Sequence, residues 1–283
     1  MEKITIMEQL KRADEEHYAV PHFNYSDIWD MTAIVKAAEE MHSPVILAGV
    51  PKVTNALGME VVGAAARAMA ENARTPVYLH LDHSTDIQIC KDACEENFST
   101  VMIDGSKESL EKNIEMVKDV VEYAHPRGIF VEGEIGKIKG NTEESQYTEG
   151  DFLVQVKDAV QLVESTHADI LAVGIGTAHG FYKGKPEINF QRLAEVNEAL
   201  KLPLVLHGGT GIPEEDVRKA IRNGINKVNV GTIIKYTYLS SVQETLNRTG
   251  PTIHTIDLMF PAVEAIKEEV KRWIKVCMSD NKA

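Results

Sequence analysis

Leu204-Val205-Leu206-His207-Gly208-Gly209-Thr210-Gly211-Ile212-Pro213 reads as a short apolar strand that ends on a histidine and turns through glycines. A helix follows, opened by Pro213, with Glu214, Glu215 and Asp216 in its first turn. Acidic side chains there meet the positive end of the helix dipole. A histidine at a strand end can ligate a metal, and a Gly-rich turn beside it lets backbone N–H groups close around an anion. Strand ends near His83 and His179 carry comparable features.

The same alternation extends through the chain. Residues 5–15 have an amphipathic helical pattern, and Tyr18 to Asn24 form a strand followed by Ser26 and Asp27 as helix-start residues. Ile28, Met31, Ile34, Val35, Ala38 and Met41 then repeat at helical spacing. Pro44-Val45-Ile46-Leu47-Ala48 is a continuous apolar run, as in a strand covered on both faces. Strands are also predicted at Pro76–His83, Thr100–Asp104, Ile129–Glu134, Ile170–Val173 and Lys227–Val230. Helical patterns fall at 59–72, 87–97, from Leu110 to Val121, at 152–166 and 190–200, and over much of the rest to Val276. A polar, Gly-containing segment occupies the chain from after Glu134 to about residue 150. Eight strands alternating with helices predict an α/β fold, a (β/α)8 TIM barrel with extra terminal helices. An open doubly wound sheet is the alternative. No linker, repeat or low-complexity run divides the chain, so residues 1–283 read as a single barrel domain.

Apolar residues make up 43% of the 283, enough for a sizeable core. The net charge of −13 argues against general nucleic-acid or anionic-membrane binding, since neither polyanion would be attracted. An anionic substrate therefore needs a local cradle. The cysteines are Cys90, Cys94 and Cys277; the first two lie one helical turn apart, where thiols usually face a core. The opening residues have no apolar signal-peptide core, and no run of 18 apolar residues occurs, so a cytoplasmic location is expected.

In a barrel, chemistry gathers at the carboxyl ends of the strands. Asn24, Asp82, His83, Asp104, Glu134, His179, His207 and Asn229 fall there. Singly, Asp and Asn at such places commonly cap the next helix, and a histidine is commonly structural. Jointly, three histidines on the third, sixth and seventh strands or their loops can converge as a three-His site, with Asp104 and Glu134 as nearby oxygen donors. His17, His42, His125 and His167 sit in helices or at helix ends and read as surface residues. The turns Gly174 to Gly180 and Gly208 to Gly211, with Asn229-Val230-Gly231-Thr232, suit a phosphate site after the last two strands.

The ordered motifs Val20-Pro21-His22-Phe23-Asn24, Leu81-Asp82-His83, Val101 to Ser106, Val131 to Gly136, Gly176 to Gly180, Leu206 to Gly211 and Lys227 to Thr232 span the chain. On these the chain resembles the class II, metal-dependent ketose-bisphosphate aldolases. The stretch Ser43 to Pro51 looks closer to the tagatose-bisphosphate branch than to the main fructose-bisphosphate branch.

The resemblance implies that His83, His179 and His207 hold a catalytic Zn2+, with Asp104 and Glu134 serving a second or alternative divalent position. Asp82 would be the acid/base at the C4 hydroxyl. Gly180, Gly208, Gly209, Thr210, Asn229, Val230, Gly231 and Thr232 would bind the C1 phosphate, with a monovalent cation (Na+ or K+). Asn24 and Lys183 would face substrate, and Glu143 or Glu144 would protonate the enediolate left by cleavage. The loop carrying them, Lys137 to Glu144, departs from the family's usual Gly-Gly-x-Glu-Asp.

A second departure is His254 to Pro261, which lacks the arginine of the family's Asp-Pro-Arg-x-Tyr-Leu segment. Lys52 is the candidate substitute cation, with an exposed loop lysine as its other reading. The expected activity is reversible aldol cleavage of a ketose 1,6-bisphosphate of tagatose or fructose type, or a related ketose 1-phosphate, to dihydroxyacetone phosphate and an aldehyde. A tail bearing sulfonate, carboxylate or no charge is the alternative. A phosphosugar isomerase or epimerase and a non-catalytic phosphosugar-binding barrel are the readings from other classes. Relatives imply a homodimer or homotetramer.

Overall fold

The computed structural model describes residues 4–136, 153–182, 184 and 186–283. Its strands are β1 (Val20–Asn24), β2 (Val45–Gly49), β3 (Val77–Ser84), β4 (Thr100–Ile103), β5 (Phe130–Ile135), β6 (Ile170–Val173), β7 (Leu204–Leu206) and β8 (Ile225–Val230). They form a closed barrel in sequence order, with every neighbour parallel and β1 paired to β8. The helices are α1 (Ile6–Glu16), α2 (Ile28–Met41), α3 (Pro51–Leu57), α4 (Met59–Asn72), α5 (Ile87–Glu95) and α6 (Leu110–Ala124). They continue with α7 (Val156–Thr166), α8 (Phe190–Leu200), α9 (Glu214–Arg222), α10 (Thr232–Thr249) and α11 (Thr255–Val276). The (β/α)8 expectation therefore holds, terminal helices included. An open sheet is excluded by the β1–β8 pairing.

Alternation along each strand sorts the side chains. Phe23, Leu47, Leu79, Leu81, Val101, Ile103, Val131, Leu171, Leu206 and Val228 point outward into the core shared with the helices. Val20, Ile46, Tyr78, Ile170 and Val205 point inward at the amino-terminal end. There α1, started by a Thr5–Glu8 capping box, closes the barrel with Ile6, Leu10 and Ala13. Two residues further along the strands the interior turns polar, with His22, His80, Glu132 and Lys227 all buried. The barrel thus has an apolar floor and a polar upper half, which is where chemistry can be placed.

Two local features differ from the sequence reading. A short helix, α3, begins at Pro51, whose fixed φ suits the first helical turn, so Lys52 lies on a helix and not in a loop. Strand β3 runs on to Ser84, and its register with β4 shifts between Leu81 and Ser84. His83 takes a left-handed conformation there, at φ +50°. A regular strand would send Asp82 and His83 to opposite faces; the bulge turns both toward the barrel mouth. Cys90, Cys94 and Cys277 are buried free thiols, as expected, and His17, His42, His125 and His167 are exposed. Among the described residues no helix is long and apolar enough to cross a membrane.

Candidate metal centre and active site

His83 from the β3 bulge, His179 from the loop after β6 and His207 just past β7 meet over the barrel mouth. Their ligand nitrogens lie within 4.8 Å of one another. His83 Nε2 and His207 Nδ1 are 2.9 Å apart. On its other side the His83 ring bonds Asp104 Oδ2 through Nδ1 (3.1 Å), and His207 Nε2 meets Glu132 Oε1 at 3.1 Å. Each of these two rings is therefore anchored at one nitrogen by a carboxylate, leaving the other for the centre. His83, Asp104 and Glu134 form a second, overlapping donor group.

The charges in this group fit a cation. Among the described residues Glu134 Oε2 is buried without a hydrogen-bond partner, and it lies 3.8 Å from both His83 Nδ1 and His207 Nδ1. A carboxylate oxygen can only accept, so this orphaned atom suits a metal. Burial and the neighbouring Asp104 push the Glu134 carboxyl well above its usual range. Burial would lower His83, but the carboxylates of Asp82, Asp104 and Glu134 outweigh it and push the imidazole up to about 10. His179 is pushed down to about 3, by burial and then by the charge on His83, and His207 is lowered for the same two reasons. Positive charge therefore gathers at His83, among the carboxylates, while its two neighbouring imidazoles stay neutral; the centre is a place for a cation, and a three-nitrogen set with carboxylates nearby suits zinc.

Asp82 lies beside this cluster, 2% exposed at the wall of a cavity of about 490 Å3. Asn24 Nδ2 donates to its Oδ2 at 2.7 Å and Asn229 Nδ2 to its Oδ1 at 3.3 Å. Burial raises this carboxyl, but the positive charge at His83 holds it well below the usual carboxylate range. It is thus ionised, oriented, and in reach of a ligand.

The same cavity is lined by His83, His179, Gly180, Gly208, Gly209, Thr210, Asn229, Gly231 and Thr232, and by Asn24 and Lys52. Val230 is instead fully buried in the outer core, so its side chain does not face the cavity. Gly208 has φ +69°, and a Cβ on it would run into the carbonyl oxygen of Ala178. Only glycine lets these two loops approach so closely. Gly208→Ala is expected to cost about 1–3 kcal/mol of stability and to raise KM for a phosphorylated substrate, read by thermal melting and steady-state kinetics. The first turn of α10 begins at Thr232, so the positive end of that helix faces the cavity wall. Glu143, Glu144 and Lys183 lie outside the described residues.

Four further polar residues lie in the barrel interior beneath these strand ends. His22, His80, Glu132 and Lys227 precede Asn24, Asp82, Glu134 and Asn229 by two. That period-two offset puts them on the same inward face, one step deeper, and was available in the sequence.

Fold and site together define a class: a (β/α)8 barrel with a candidate metal centre and a buried carboxylate beside a glycine-lined cavity. The family model for class II fructose-bisphosphate aldolase matches residues 4–282. Fructose-bisphosphate aldolases of Staphylococcus epidermidis and Staphylococcus aureus are each 37% identical over the whole of both chains. Among solved structures, the YdjI aldolase of Escherichia coli K12 is 33% identical with a TM-score of 0.87, covering 98% of each chain. A putative fructose-1,6-bisphosphate aldolase from Coccidioides immitis is 27% identical, also at 0.87, covering 97% of this chain and 96% of that one. The chain belongs to the class II fructose-bisphosphate aldolase family and is a lyase of the aldolase class.

Proposed function

We propose that the enzyme reversibly cleaves the C3–C4 bond of a ketose 1-phosphate or 1,6-bisphosphate of tagatose or fructose type, releasing dihydroxyacetone phosphate and an aldehyde. The observation that carries this reading is that Asp82, two of the three clustered imidazoles and the glycine turns line one cavity. His83, His179 and His207 would hold zinc, with Asp104 and Glu134 as a second donor set. When bound, zinc supplies Lewis-acid stabilisation of the negative charge that cleavage leaves on the three-carbon fragment. Asp82 takes the C4 hydroxyl proton as the C3–C4 electron pair moves to that fragment, and returns it in condensation. Asn24 and Asn229 hold its two oxygens so that proton transfer needs no rearrangement. Gly180, Gly208 to Thr210, Gly231 and Thr232 would cradle the C1 phosphate.

The distal end of the substrate would meet Lys52 on α3 and Lys235 on α10, which also line the cavity. Val53, Ala56 and Leu57 complete the α3 side, so an anionic tail would contact a flexible ammonium beside an apolar wall. This favours an anion at the distal position, with phosphate, sulfonate and carboxylate distinguished by experiment. Exposed Tyr236, Leu239, Leu246 and Phe260 support the expectation of a homodimer or homotetramer.

A coupled assay for dihydroxyacetone phosphate over paired ketose 1,6-bisphosphates and 1-phosphates, including 6-sulfo and 6-carboxy tails, tests the reading. Chelator-sensitive release restored by zinc is expected. No release from any member would sink it.

A further inference from the structure

We infer that Lys227 is a positioning residue for the metal centre: acting through Glu132, it sets which nitrogen of His207 faces the other imidazoles. The inference rests on the metal site proposed above.

Lys227 is a lysine at the inward face of β8, 1% exposed, and it does not line the cavity. Its ammonium is turned to Glu132 beneath the cavity. A buried ammonium persists only with a partner, and Lys227 Nζ donates to Glu132 Oε2 at 2.7 Å. Glu132, fully buried on β5, places its other oxygen 3.1 Å from His207 Nε2. The chain of contacts runs from β8 to β5 to the end of β7, bridging three strands beneath the centre.

The chain of donors and acceptors assigns the proton. Glu132 is held on one side by an ammonium, so its free oxygen accepts. His207 must then carry its ring proton on Nε2 and turn the Nδ1 lone pair toward His83 Nε2, 2.9 Å away. Asn229 Nδ2 also approaches His207 Nε2, at 3.1 Å, with one of its two hydrogens directed to Asp82. A carboxylate acceptor and an amide donor compete for one nitrogen, and the charged acceptor, fixed by the ammonium, makes the stronger bond. Lys227 pins the plane of that carboxylate. Without it, Glu132 Oε2 loses its 2.7 Å donor, and the ring above rests on a carboxylate that is less firmly held.

The test combines zinc affinity, by competition with a chromophoric chelator, with the side-chain nitrogen NMR spectrum of His207 in metal-free protein. Lys227→Met is expected to weaken zinc binding by about 10–100-fold and to replace a single Nε2–H signature by a mixture of forms. Because that variant leaves Glu132 without its ammonium, Lys227→Met/Glu132→Gln is made alongside. It removes both charges, keeps an amide oxygen near His207, and is expected to melt like the parent while still binding zinc more weakly. Either folded variant with parental zinc affinity and an intact Nε2–H signature overturns the inference. A parent chain that binds no zinc would instead overturn the metal reading, and the NMR comparison would still decide the role of Lys227.

Discussion

Asp82→Asn is expected to lower turnover by about 10²–10⁴-fold, the usual worth of a positioned acid/base, with bound zinc unchanged. The substitution is nearly isosteric. An asparagine oxygen can still accept from Asn24, whose amide lies 2.7 Å from the present carboxylate. What it cannot do is take a proton from a hydroxyl. The carboxylate is suited to that task because it is held ionised despite burial, by the positive charge at His83. It also lines the cavity, unlike the deeper Glu132. The measurement is the rate of dihydroxyacetone phosphate release beside the metal content of the same sample. Retention of turnover within a factor of about ten would remove Asp82 from the acid/base role, since the lower bound of such catalysis exceeds that.

His83→Ala should fail in the opposite way, losing metal first and turnover as a consequence. The imidazole is central to the cluster, with ring centroids 4.8 Å from His179 and 4.6 Å from His207. It is also the ring nearest the carboxylates, bonded to Asp104 and within 3.8 Å of Glu134. Its removal leaves two imidazoles and a cluster of carboxylates, a poorer set for zinc. Lewis-acid stabilisation is worth several kcal/mol, so turnover is expected to fall by at least about 10²-fold. Metal analysis after dialysis, and activity with zinc restored, make the check. Full zinc content in this variant would show that the centre lies elsewhere. The pair of variants separates acid/base chemistry from metal binding: one keeps metal without turnover, the other keeps neither.

Much of the site was legible because its residues sit in short motifs at predicted strand ends. Asp82, His83, His207 and Asn229 each follow or close an apolar run, and the glycines beside His207 announce a turn. The glycine turns of the proposed phosphate site were legible for the same reason, except that the Val230 side chain belongs to the outer core. Lys52 was readable as a cation but not as a helical one, because Pro51 both ends a loop and starts a helix.

Periodicity is a local property, so the eight strands and the alternation of side chains along each follow from the chain alone. Barrel closure is not local. The β1–β8 pairing brings Asn24 and Asn229 to the same carboxylate on β3, across 58 and 147 residues of chain. The orientation of His83 needed the β3 bulge, which no apolar pattern marks and which adjoining strands hold in place against its left-handed strain. Likewise, the partnership of Lys227 with Glu132 spans 95 residues. A buried charge is tolerated only where its counter-charge is also buried, and that pairing exists once the barrel has closed.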